Sequence, residues 1–290
     1  MTIRRPMLAG KADLSTLKYP VLCTPKLDGI RALKLETNEP LVSRNFKPFR
    51  NREINKKFRW LPAGVDGELV IPSTAFNEIS SAVMGEFSDV SKVEYWIFDW
   101  FGGFYGGKGA YRERIYSLAN ALPKARDVSI LIYHTISNED ELLKYEDNVL
   151  KEGYEGVIIR SPNGPYKEGR STIKEGYLLK LKRFEDGEAI ILEFEQRMVN
   201  LNPQEKDAFG LAKRSHHQEN LQPSDMMGAL VVRCLETQTV FNIGSGFDEA
   251  QRKEIWANQE AFRGKIVKYK WQGHGSVGRP RFPVFLGFRS

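Results

Sequence analysis

The sequence has few cysteines and histidines, and it has no long apolar run. Two cysteines, Cys23 and Cys234, stand far apart in 290 residues, and the four histidines show no spacing typical of metal ligands. A disulfide-stabilised scaffold or a structural zinc site is therefore not expected. No segment approaches the ~18 apolar residues that cross a membrane, and residues 1–6 lack the apolar core of a secretory signal. The pattern predicts a globular protein of the cytoplasm that does not bind membranes.

The composition excludes extensive disorder and favours one large or two modest domains. Hydrophobic residues make up 41% and charged residues 28% of the chain, which is enough apolar material for packed cores. The net charge is +6, and two stretches are strongly basic, residues 44–59 and residues 261–290. Such stretches fit either a bound polyanion or ordinary solvated faces, and charge alone does not separate these explanations.

The first two-thirds of the chain alternates strand patterns with helix patterns. Short apolar runs predict strands at residues 21–23, 32–35, 66–71, 95–100 and 156–159. Helical spacing predicts one helix over 111–122 and a second that begins after the N-cap residue Asn138 and ends at Gly153. The pair Asp28-Gly29 is typical of turns, so Lys26 is expected near a sheet edge rather than buried in the middle of a strand.

The segment 177–184 alternates apolar and basic residues. In a strand, a spacing of two places Lys180 and Lys182 on the same face. Two ammonium groups on one face repel each other, so the pattern predicts an anion beside them. An exposed edge strand, in which lysines discourage aggregation, is the alternative explanation.

The last hundred residues predict a small β-barrel, typical of an OB-fold. Short strand patterns occur at residues 189–194, 228–235, 239–243, 266–271 and 283–287, and a helix pattern occurs at 248–262. Aromatic residues of the terminal stretch are expected in the core rather than as base-stacking surfaces. They are Tyr269, Trp271, Phe282, Phe285 and Phe288.

A polar segment, residues 200–225, separates the first two of these strand patterns. It contains Lys213 and Arg214, followed by His216 and His217. The segment is too long for an ordinary hairpin loop, so it is expected to be either a functional arm or a disordered loop.

Six short motifs carry the strongest functional signal. They are Lys26-Leu-Asp-Gly-Ile-Arg31, Ser43-Arg44, Asp66-Gly-Glu68, Phe98-Asp99, Glu155-Gly-Val-Ile-Ile-Arg160 and Leu179-Lys180-Leu-Lys182. Lys-x-Asp-Gly alone is a weak signal. The ordered set, however, resembles the covalent nucleotidyltransferases, a superfamily that comprises ATP-dependent DNA ligases, RNA ligases and mRNA capping enzymes. The chain is similar in particular to the minimal ATP-dependent DNA ligases, over nearly its whole length.

The resemblance implies an α+β protein of two domains. Residues 1–184 would form an adenylation domain of antiparallel sheets and helices, and residues 185–290 a small OB-fold β-barrel. The insert at about 200–225 occupies the place where a relative carries a latch that closes around duplex DNA. In that latch Lys213 and Arg214 would contact phosphates.

The resemblance also implies a three-step reaction. A lysine attacks the α-phosphorus of ATP and forms lysyl-AMP, AMP passes to the 5′-phosphate at a nick, and the 3′-hydroxyl displaces AMP and seals the strand. Lys26 matches this nucleophile, which must lose a proton before it attacks. Nearby cations favour that loss, and the candidates are Arg31, Lys180 and Lys182, whereas Asp28 opposes it.

The other nucleotide-binding roles follow from the same resemblance. Lys180 and Lys182 would contact the α-phosphate, Glu68 would bind the ribose hydroxyls, and Phe98 would stack on adenine. Glu155 and Asp28 would help to hold Mg²⁺ or Mn²⁺. The candidate catalytic residues are therefore Lys26, Asp28, Lys180 and Lys182. The candidate ATP-binding residues are Thr24, Lys26, Arg31, Glu68, Phe98, Glu155, Lys180 and Lys182.

A second set of basic residues would bind DNA. Arg44 would grip the 5′-phosphate of the nick through its forked guanidinium group, and Lys47 and Arg170 would add phosphate contacts. Many relatives end in an Arg followed shortly by Asp-Lys, whereas this sequence ends in Arg289-Ser290. AMP loading is therefore the least supported step, although Arg281 or Arg289 could supply positive charge.

The preferred hypothesis is an ATP-dependent DNA ligase that seals nicks in duplex DNA without sequence preference. It is expected to act as a monomer without an obligate protein partner, in the cytoplasm or, if a virus or phage encodes it, in the host cell. An RNA ligase or a capping guanylyltransferase is the alternative. A noncatalytic OB-type nucleic-acid-binding protein is a more remote one.

Overall fold

The computed structural model describes residues 3–104, 106–182, 184–208, 210, 212–215, 220–272 and 278–289. The chain separates into two compact units, Met1–Lys182 and Arg183–Ser290. Both Cys23 and Cys234 are buried and free. None of the helices in the described ranges is long and apolar enough to cross a membrane. His216, His217 and Ser290 lie outside the described residues.

The first unit consists of short strands and helices. Its strands are β1 (Met7–Leu8), β2 (Gly10–Lys11), β3 (Val21–Pro25), β4 (Ile30–Leu33), β5 (Val42–Ser43), β6 (Val65–Val70), β7 (Glu94–Trp100), β8 (Val128–Ile130), β9 (His134–Ile136), β10 (Val157–Arg160), β11 (Gly169–Arg170) and β12 (Leu178–Leu181). Its helices are α1 (Arg52–Lys57), α2 (Phe76–Met84), α3 (Tyr111–Ala121) and α4 (Glu139–Lys151), and two 3-10 turns lie at Leu14–Thr16 and Gly106–Lys108.

Two five-stranded sheets organise this unit. Their strand orders are β2-β12-β10-β3-β9 and β5-β4-β6-β7-β8, and most pairs are antiparallel. Helix α4 covers the outer face of the first sheet, where Leu142 packs with Cys23 and Ile159. Helices α1 and α2 cover the second sheet through Ile54 and Ile79. These helices cover only one face of each sheet.

The strand and helix predictions for this unit hold, with small shifts at the ends. Asn138 is the N-cap of α4, and its side chain accepts a hydrogen bond from the Glu141 backbone N–H at 2.9 Å. Helices α1 and α2 were not predicted. In α1, only one apolar residue, Ile54, is buried within a basic stretch, so the helical periodicity of that segment is weak. The edge-strand explanation of the lysine alternation is wrong, since β12 lies between β2 and β10.

The second unit forms one five-stranded sheet with a long two-stranded extension. Its elements are β13 (Glu185–Asn200), β14 (Gln204–Lys206), β15 (Ala212–Arg214), β16 (Leu221–Cys234), β17 (Val240–Ile243), α5 (Glu249–Ala257), α6 (Gln259–Phe262), β18 (Ile266–Trp271) and β19 (Val284–Phe288). The strand order is β17-β16-β13-β18-β19. The two edges meet at a parallel bridge between Ser245 and Val284, as expected for a partly open barrel.

Three predictions for this unit need correction. The strands predicted at 189–194 and 228–235 are much longer, because β13 and β16 pair from Ala189–Cys234 to Asn200–Leu221. The polar segment was expected to be a functional arm or a disordered loop, and its described residues include the far end of this ladder and the paired strands β14 and β15. The helix predicted over 248–262 is interrupted at Asn258.

The aromatic residues of the terminal stretch divide into two groups. Tyr269, Trp271 and Phe285 are buried in the core of the second unit, as predicted. Phe288 is partly buried against the same core. Phe282 is exposed, so the core prediction is wrong for this residue.

Candidate functional site

A cavity of about 290 Å³ lies in the first unit, and both sheets contribute to its wall. Thr24 in β3 pairs with Ile158 in β10, which pairs with Lys180 in β12, so the three residues form a row across the first sheet. Their neighbours in sequence, such as Cys23 and Ile159, point the opposite way into the core under α4. Side chains alternate between the two faces of this sheet. One face is therefore buried under α4, and the other face lines the cavity.

The cavity gathers eight of the residues predicted for nucleotide or DNA binding. They are Thr24, Lys26, Arg31, Arg44, Glu68, Phe98, Arg170 and Lys180. Glu155 is connected to this group because it accepts a hydrogen bond from Lys26, and Lys182 donates to the same carboxylate. Asp28 and Lys47 line other cavities, and Lys213 and Arg214 belong to the second unit.

Glu155 holds two ammonium groups at the edge of the cavity. Its Oε2 accepts a hydrogen bond from Lys26 Nζ, and its Oε1 accepts one from Lys182 Nζ at 3.0 Å. Burial raises the pKa of Glu155, but the two lysines outweigh burial and hold it below its usual value. In this state the lysine predicted to be the nucleophile is one partner of an ion pair.

The backbone around Glu155 requires glycine at the next position. Gly156 has φ of 143°, and a Cβ there would lie 2.3 Å from the carbonyl oxygen of Leu181. The carbonyl oxygen of Gly156 accepts a hydrogen bond from the Lys26 backbone N–H at 2.8 Å. The Glu155-Gly156 motif thus fixes its carboxylate beside the end of β3 by backbone geometry.

Lys180 lies on the wall among other cations. Burial, followed by the positive charges of Lys26, Arg170 and Lys182, lowers its pKa, and Glu155 opposes this effect. A partly buried ammonium group among like charges favours an anion in the cavity. This agrees with the anion predicted from the alternating lysines.

Arg31 is held rigidly by a buried carboxylate. Its Nε and Nη2 donate to the two oxygens of Asp66 at 2.9 and 2.6 Å, and its Nη1 donates to the carbonyl oxygen of Met7 at 2.7 Å. Tyr166 Oη donates to the same carboxylate at 2.7 Å. Because its hydrogen bonds to the protein are nearly complete, Arg31 acts as a fixed positive charge rather than a mobile ligand.

Glu68 lies opposite Arg31 in the β4–β6 pair. Burial raises the pKa of Glu68 to about 8, and Arg31 and Lys26 oppose this shift without cancelling it. The carboxyl group therefore spends part of its time protonated near neutral pH. In that form it can donate a hydrogen bond as well as accept one.

Phe98 belongs to the cavity wall rather than to the core. Alternate residues of β7 are buried, and Phe98 is on the partly exposed side. Its ring lies within 6 Å of two guanidinium groups, at 5.5 Å from Arg31 Cζ and 5.7 Å from Arg160 Cζ. The ring can thus offer an aromatic surface to a planar ligand.

Asp28 lies on a different cavity, which also contains Glu152 and Trp96 in its wall. No group of three or more His, Cys, Asp or Glu side chains lies close enough for a metal ion within the described ranges. The donor set fits Mg²⁺ bound jointly by one carboxylate, waters and a phosphate, because Mg²⁺ keeps several waters. Glu155, which accepts a hydrogen bond from the cavity residue Lys26, is the carboxylate that could serve this role.

Arg44 connects the nucleotide cavity with a second cavity of about 610 Å³, whose wall also includes Lys47 and Arg50. Arg44 follows the two-residue strand β5 and is exposed. Among the described residues its guanidinium group has no hydrogen-bond or ion-pair partner. Three cations thus line a surface next to the cavity that contains Lys26.

The arm of the second unit, residues 201–220, contains Lys213 and Arg214 on the exposed strand β15. Arg214 Nη1 donates to the carbonyl oxygens of Asn200 and Asn202 at 3.1 and 3.0 Å, so this nitrogen holds the base of the arm. Lys213 is the more available of the two cations. At the end of the chain, Arg289 forms an ion pair with Glu188 at 2.6 Å.

The sequence did not assign roles to several residues that complete the site. Asp66, Asp99 and Arg160 occur within recognised motifs, but each has hydrogen-bond partners on other elements of the fold. A charged residue inside an apolar strand, as in Val157-Ile-Ile-Arg160, is the sequence signal that could have identified them. Such a residue is buried only when it has a partner of opposite charge or a hydrogen-bond partner.

Two family models match the chain. One describes the ATP dependent DNA ligase domain and matches residues 6–182, and the other describes the DNA ligase OB-like domain and matches residues 220–289. These matches agree with the fold class that the sequence predicts.

Solved structures and curated relatives give the same result. The crystal structure of Chlorella virus DNA ligase-adenylate is 37% identical, with a TM-score of 0.57 and coverage of 99% of this chain and 100% of that chain. A Lig E DNA ligase, described as binding DNA with a minimal scaffold, is 26% identical, with a TM-score of 0.76 and coverage of 98% and 99%.

A DNA ligase of African swine fever virus, isolate Warthog/Namibia/Wart80/1980, is 28% identical over 184 residues. The match covers 59% of this chain and 43% of the viral protein, so the chain spans less than half the length of that relative. The resemblance to minimal ATP-dependent DNA ligases that the motifs indicate is confirmed by these comparisons.

Proposed function

The chain belongs to the ATP-dependent DNA ligase family, and from that membership we propose that it seals nicks in duplex DNA with ATP. The observation that carries the proposal is the cavity of the first unit. It brings Lys26, Glu68, Phe98 and Lys180, from four separate motifs, onto one wall. Family membership and this convergence together support AMP transfer.

In the first step, Lys26 Nζ attacks the α-phosphorus of ATP, the P–N bond forms, and pyrophosphate leaves. Before attack, the ion pair with Glu155 must break and the ammonium group must lose its proton. The neighbouring cations Lys180 and Lys182 balance the charge that develops on the α-phosphate. Thr24 of β3, two residues before Lys26, contributes to the wall beside the bound nucleotide.

Different side chains bind the sugar and the base. Glu68 hydrogen-bonds the ribose hydroxyls, and Phe98 stacks on adenine. Arg31, held by Asp66, keeps a fixed positive charge near both residues. The ring and the carboxyl group are on adjacent strands of the second sheet, so the cavity can bind the whole nucleoside.

Glu155 would hold Mg²⁺ together with phosphate oxygens and water, whereas Asp28, the second carboxylate predicted for the metal, lines a different cavity. The ion would supply positive charge that stabilises the leaving pyrophosphate and the negative charge on the oxygens of the α-phosphate. Each oxygen of Glu155 already accepts a hydrogen bond from one lysine, so a cation at the remaining lone pairs would lie close to two ammonium groups and would weaken the ion pair to Lys26.

In the second and third steps, the nick lies against the basic surface beside the cavity. Arg44, Lys47 and Arg170 bind phosphates of the broken strand, and the Arg44 fork binds the 5′-phosphate that accepts AMP. Lys213 of the arm adds a phosphate contact. These contacts read the backbone, so sealing is independent of sequence.

Labelled nucleotide tests the proposal directly. Incubation with ATP and Mg²⁺ is expected to add one AMP to Lys26, detected by mass spectrometry of the peptide, and Lys26→Ala is expected to carry no label. Nicked DNA is then expected to be sealed by the wild-type protein. A covalent adduct with GTP alone would indicate a capping-type guanylyltransferase, and sealing of RNA alone would indicate an RNA ligase.

A further inference from the structure

Two buried arginines share one carboxylate beside the nucleotide cavity. Asp99 accepts two hydrogen bonds from Arg114, at 2.8 and 3.0 Å, and one from Arg160 Nη1 at 2.7 Å. The Trp100 backbone N–H donates to the same carboxylate at 2.8 Å. Burial raises the pKa of Asp99, but the two arginines outweigh burial and lower it. The cluster therefore holds two positive charges and one negative charge.

The two arginines differ in how completely the protein binds them. All three nitrogens of Arg114 donate, two to Asp99 and one to the carbonyl oxygens of Gly109 and Gly164. Arg160, although only 3% exposed, makes just the one bond to Asp99 among the described residues, and its Nε has no partner there. Buried donors are normally paired. Hydrogen bonding therefore explains why Arg114 is buried, but it does not explain the burial of Arg160.

Aromatic rings supply the missing contacts of Arg160. Its Cζ lies 4.5 Å from the centroid of the Tyr111 ring and 5.7 Å from that of Phe98. Tyr111 in turn donates its hydroxyl to the carbonyl oxygen of Phe98 at 3.2 Å. A guanidinium group at these distances attracts the ring faces. Arg160, Tyr111 and Phe98 therefore form one packed group, of which Arg160 and Phe98 reach the cavity wall.

We propose that Arg160 is a positioning residue that fixes the Phe98 ring for stacking on the nucleobase of ATP. The inference rests on the proposed function and adds a residue to it. Arg160 acts through Phe98 rather than by contact with the reacting atoms. Arg114 is the matched comparison, because it shares Asp99 and is equally buried but does not line the cavity.

The test is a double-mutant cycle on the KM for ATP in lysyl-AMP formation. Arg160→Met is expected to raise this KM about tenfold, which corresponds to about 1.4 kcal/mol of binding, with kcat little changed. In a Phe98→Leu background the same substitution is expected to raise KM less than about twofold, because the ring it positions is gone. Arg160→Lys, which keeps the charge but not the planar group, is expected to give a smaller increase.

Arg114→Met is the control for a purely structural effect. It is expected to lower the melting temperature while the KM for ATP stays within about twofold of the wild type. Asp99 keeps one arginine and the Trp100 N–H in either single variant, so both are expected to fold. Equal KM changes for Arg114→Met and Arg160→Met, or an Arg160 effect that is unchanged without the Phe98 ring, would overturn the inference.

The cycle separates this inference from the proposed function. If the wild-type protein forms no lysyl-AMP, the proposed function fails. Equilibrium binding of ATP to the same variants by calorimetry then still reports whether Arg160 and Phe98 are coupled. If Arg160→Met is unstable, Arg160→Lys gives the same cycle with a smaller expected change. Loss of coupling in that variant as well would contradict the positioning role.

Discussion

Glu68 is a carboxyl group of the nucleotide cavity whose pKa is raised by its environment. Burial raises its pKa to about 8 in the folded chain, whereas in the unfolded chain it is near 4.5. Between these values the folded state binds the extra proton, so this carboxyl group makes the folded state less stable as pH rises. At alkaline pH the cost of a buried carboxylate is fully present.

Glu68→Gln is therefore expected to remove a pH dependence of stability. Its free energy of unfolding, relative to the wild type, should increase by about 2 kcal/mol between pH 5 and pH 8. A tenfold change in proton affinity between the folded and unfolded chains is worth about 1.4 kcal/mol. The expected change is smaller than the full pKa difference would give, because the cavity partly solvates the carboxyl group. Urea unfolding of both proteins across this range measures the difference. A constant difference would show that Glu68 has an ordinary pKa. Glu113→Gln, on the exposed start of α3, is the control.

Substitution of Arg44 is expected to affect strand sealing but not the formation of lysyl-AMP. Arg44→Ala is expected to keep lysyl-AMP formation within about threefold and to reduce sealing by more than about a hundredfold, since the loss of a forked phosphate contact costs roughly 3 kcal/mol. Single-turnover assays with nicked DNA measure both steps. Arg52→Ala, an exposed arginine of α1, is expected to change neither. Loss of lysyl-AMP in Arg44→Ala would place this residue in ATP binding instead.

The sequence predicts side-chain identity at the site better than it predicts pairing. Lys26, Glu155 and Lys182 are recognisable in their motifs, but their shared ion-pair network joins residues 129 positions apart in the case of the first two. The difference in hydrogen bonding between Arg160 and Arg114 also depends on which carbonyl oxygens the fold brings close to each guanidinium group. Such contacts follow from strand order, which local periodicity does not determine.

At the level of elements, the hairpin arm is where sequence patterns fail most clearly. Apolar alternation in β13 and β16 ends well before the strands do, because the outer part of the ribbon is solvated on both faces. Polar residues such as Asn200 therefore indicate a loop, although the backbone ladder continues to the Asn200–Leu221 pair. The sequence indicated where the polar segment lies, but it did not predict the strand pairing within that segment.

Removal of the arm should separate DNA binding from folding. Replacing residues 202–219 with Asn-Gly keeps the β13–β16 ladder and joins Leu201 to Asn220, which face each other, through a two-residue turn. The melting temperature is expected to change by only a few degrees, while binding of nicked duplex weakens by at least about tenfold. Fluorescence anisotropy measures binding, and Lys213→Ala alone is expected to give a smaller part of the loss. Unchanged affinity in the arm variant would refute a latch-like role.

At the scale of the whole molecule, the positive charge is concentrated in a few places. The net charge is only +6, yet Arg44, Lys47 and Arg170 lie at or beside the nucleotide cavity, and Lys213 is exposed on the arm. Each phosphate contact releases counterions from DNA. Affinity for duplex DNA should therefore depend on these few residues rather than on the total charge.

Four phosphate contacts predict a slope of about −3.6 for log K against log salt, since each contributes about −0.9. The slope should be the same for nicked duplexes of unrelated sequence, because no contact reads a base. Lys47→Ala and Lys213→Ala should each reduce its magnitude by about one, and the double variant by about two, because they lie in separate units and bind separate phosphates. Anisotropy titrations from low to moderate salt measure all four slopes. If either single variant leaves the slope unchanged, that residue does not contact phosphate. A strong dependence on sequence would mean that base contacts, rather than backbone charge, govern binding.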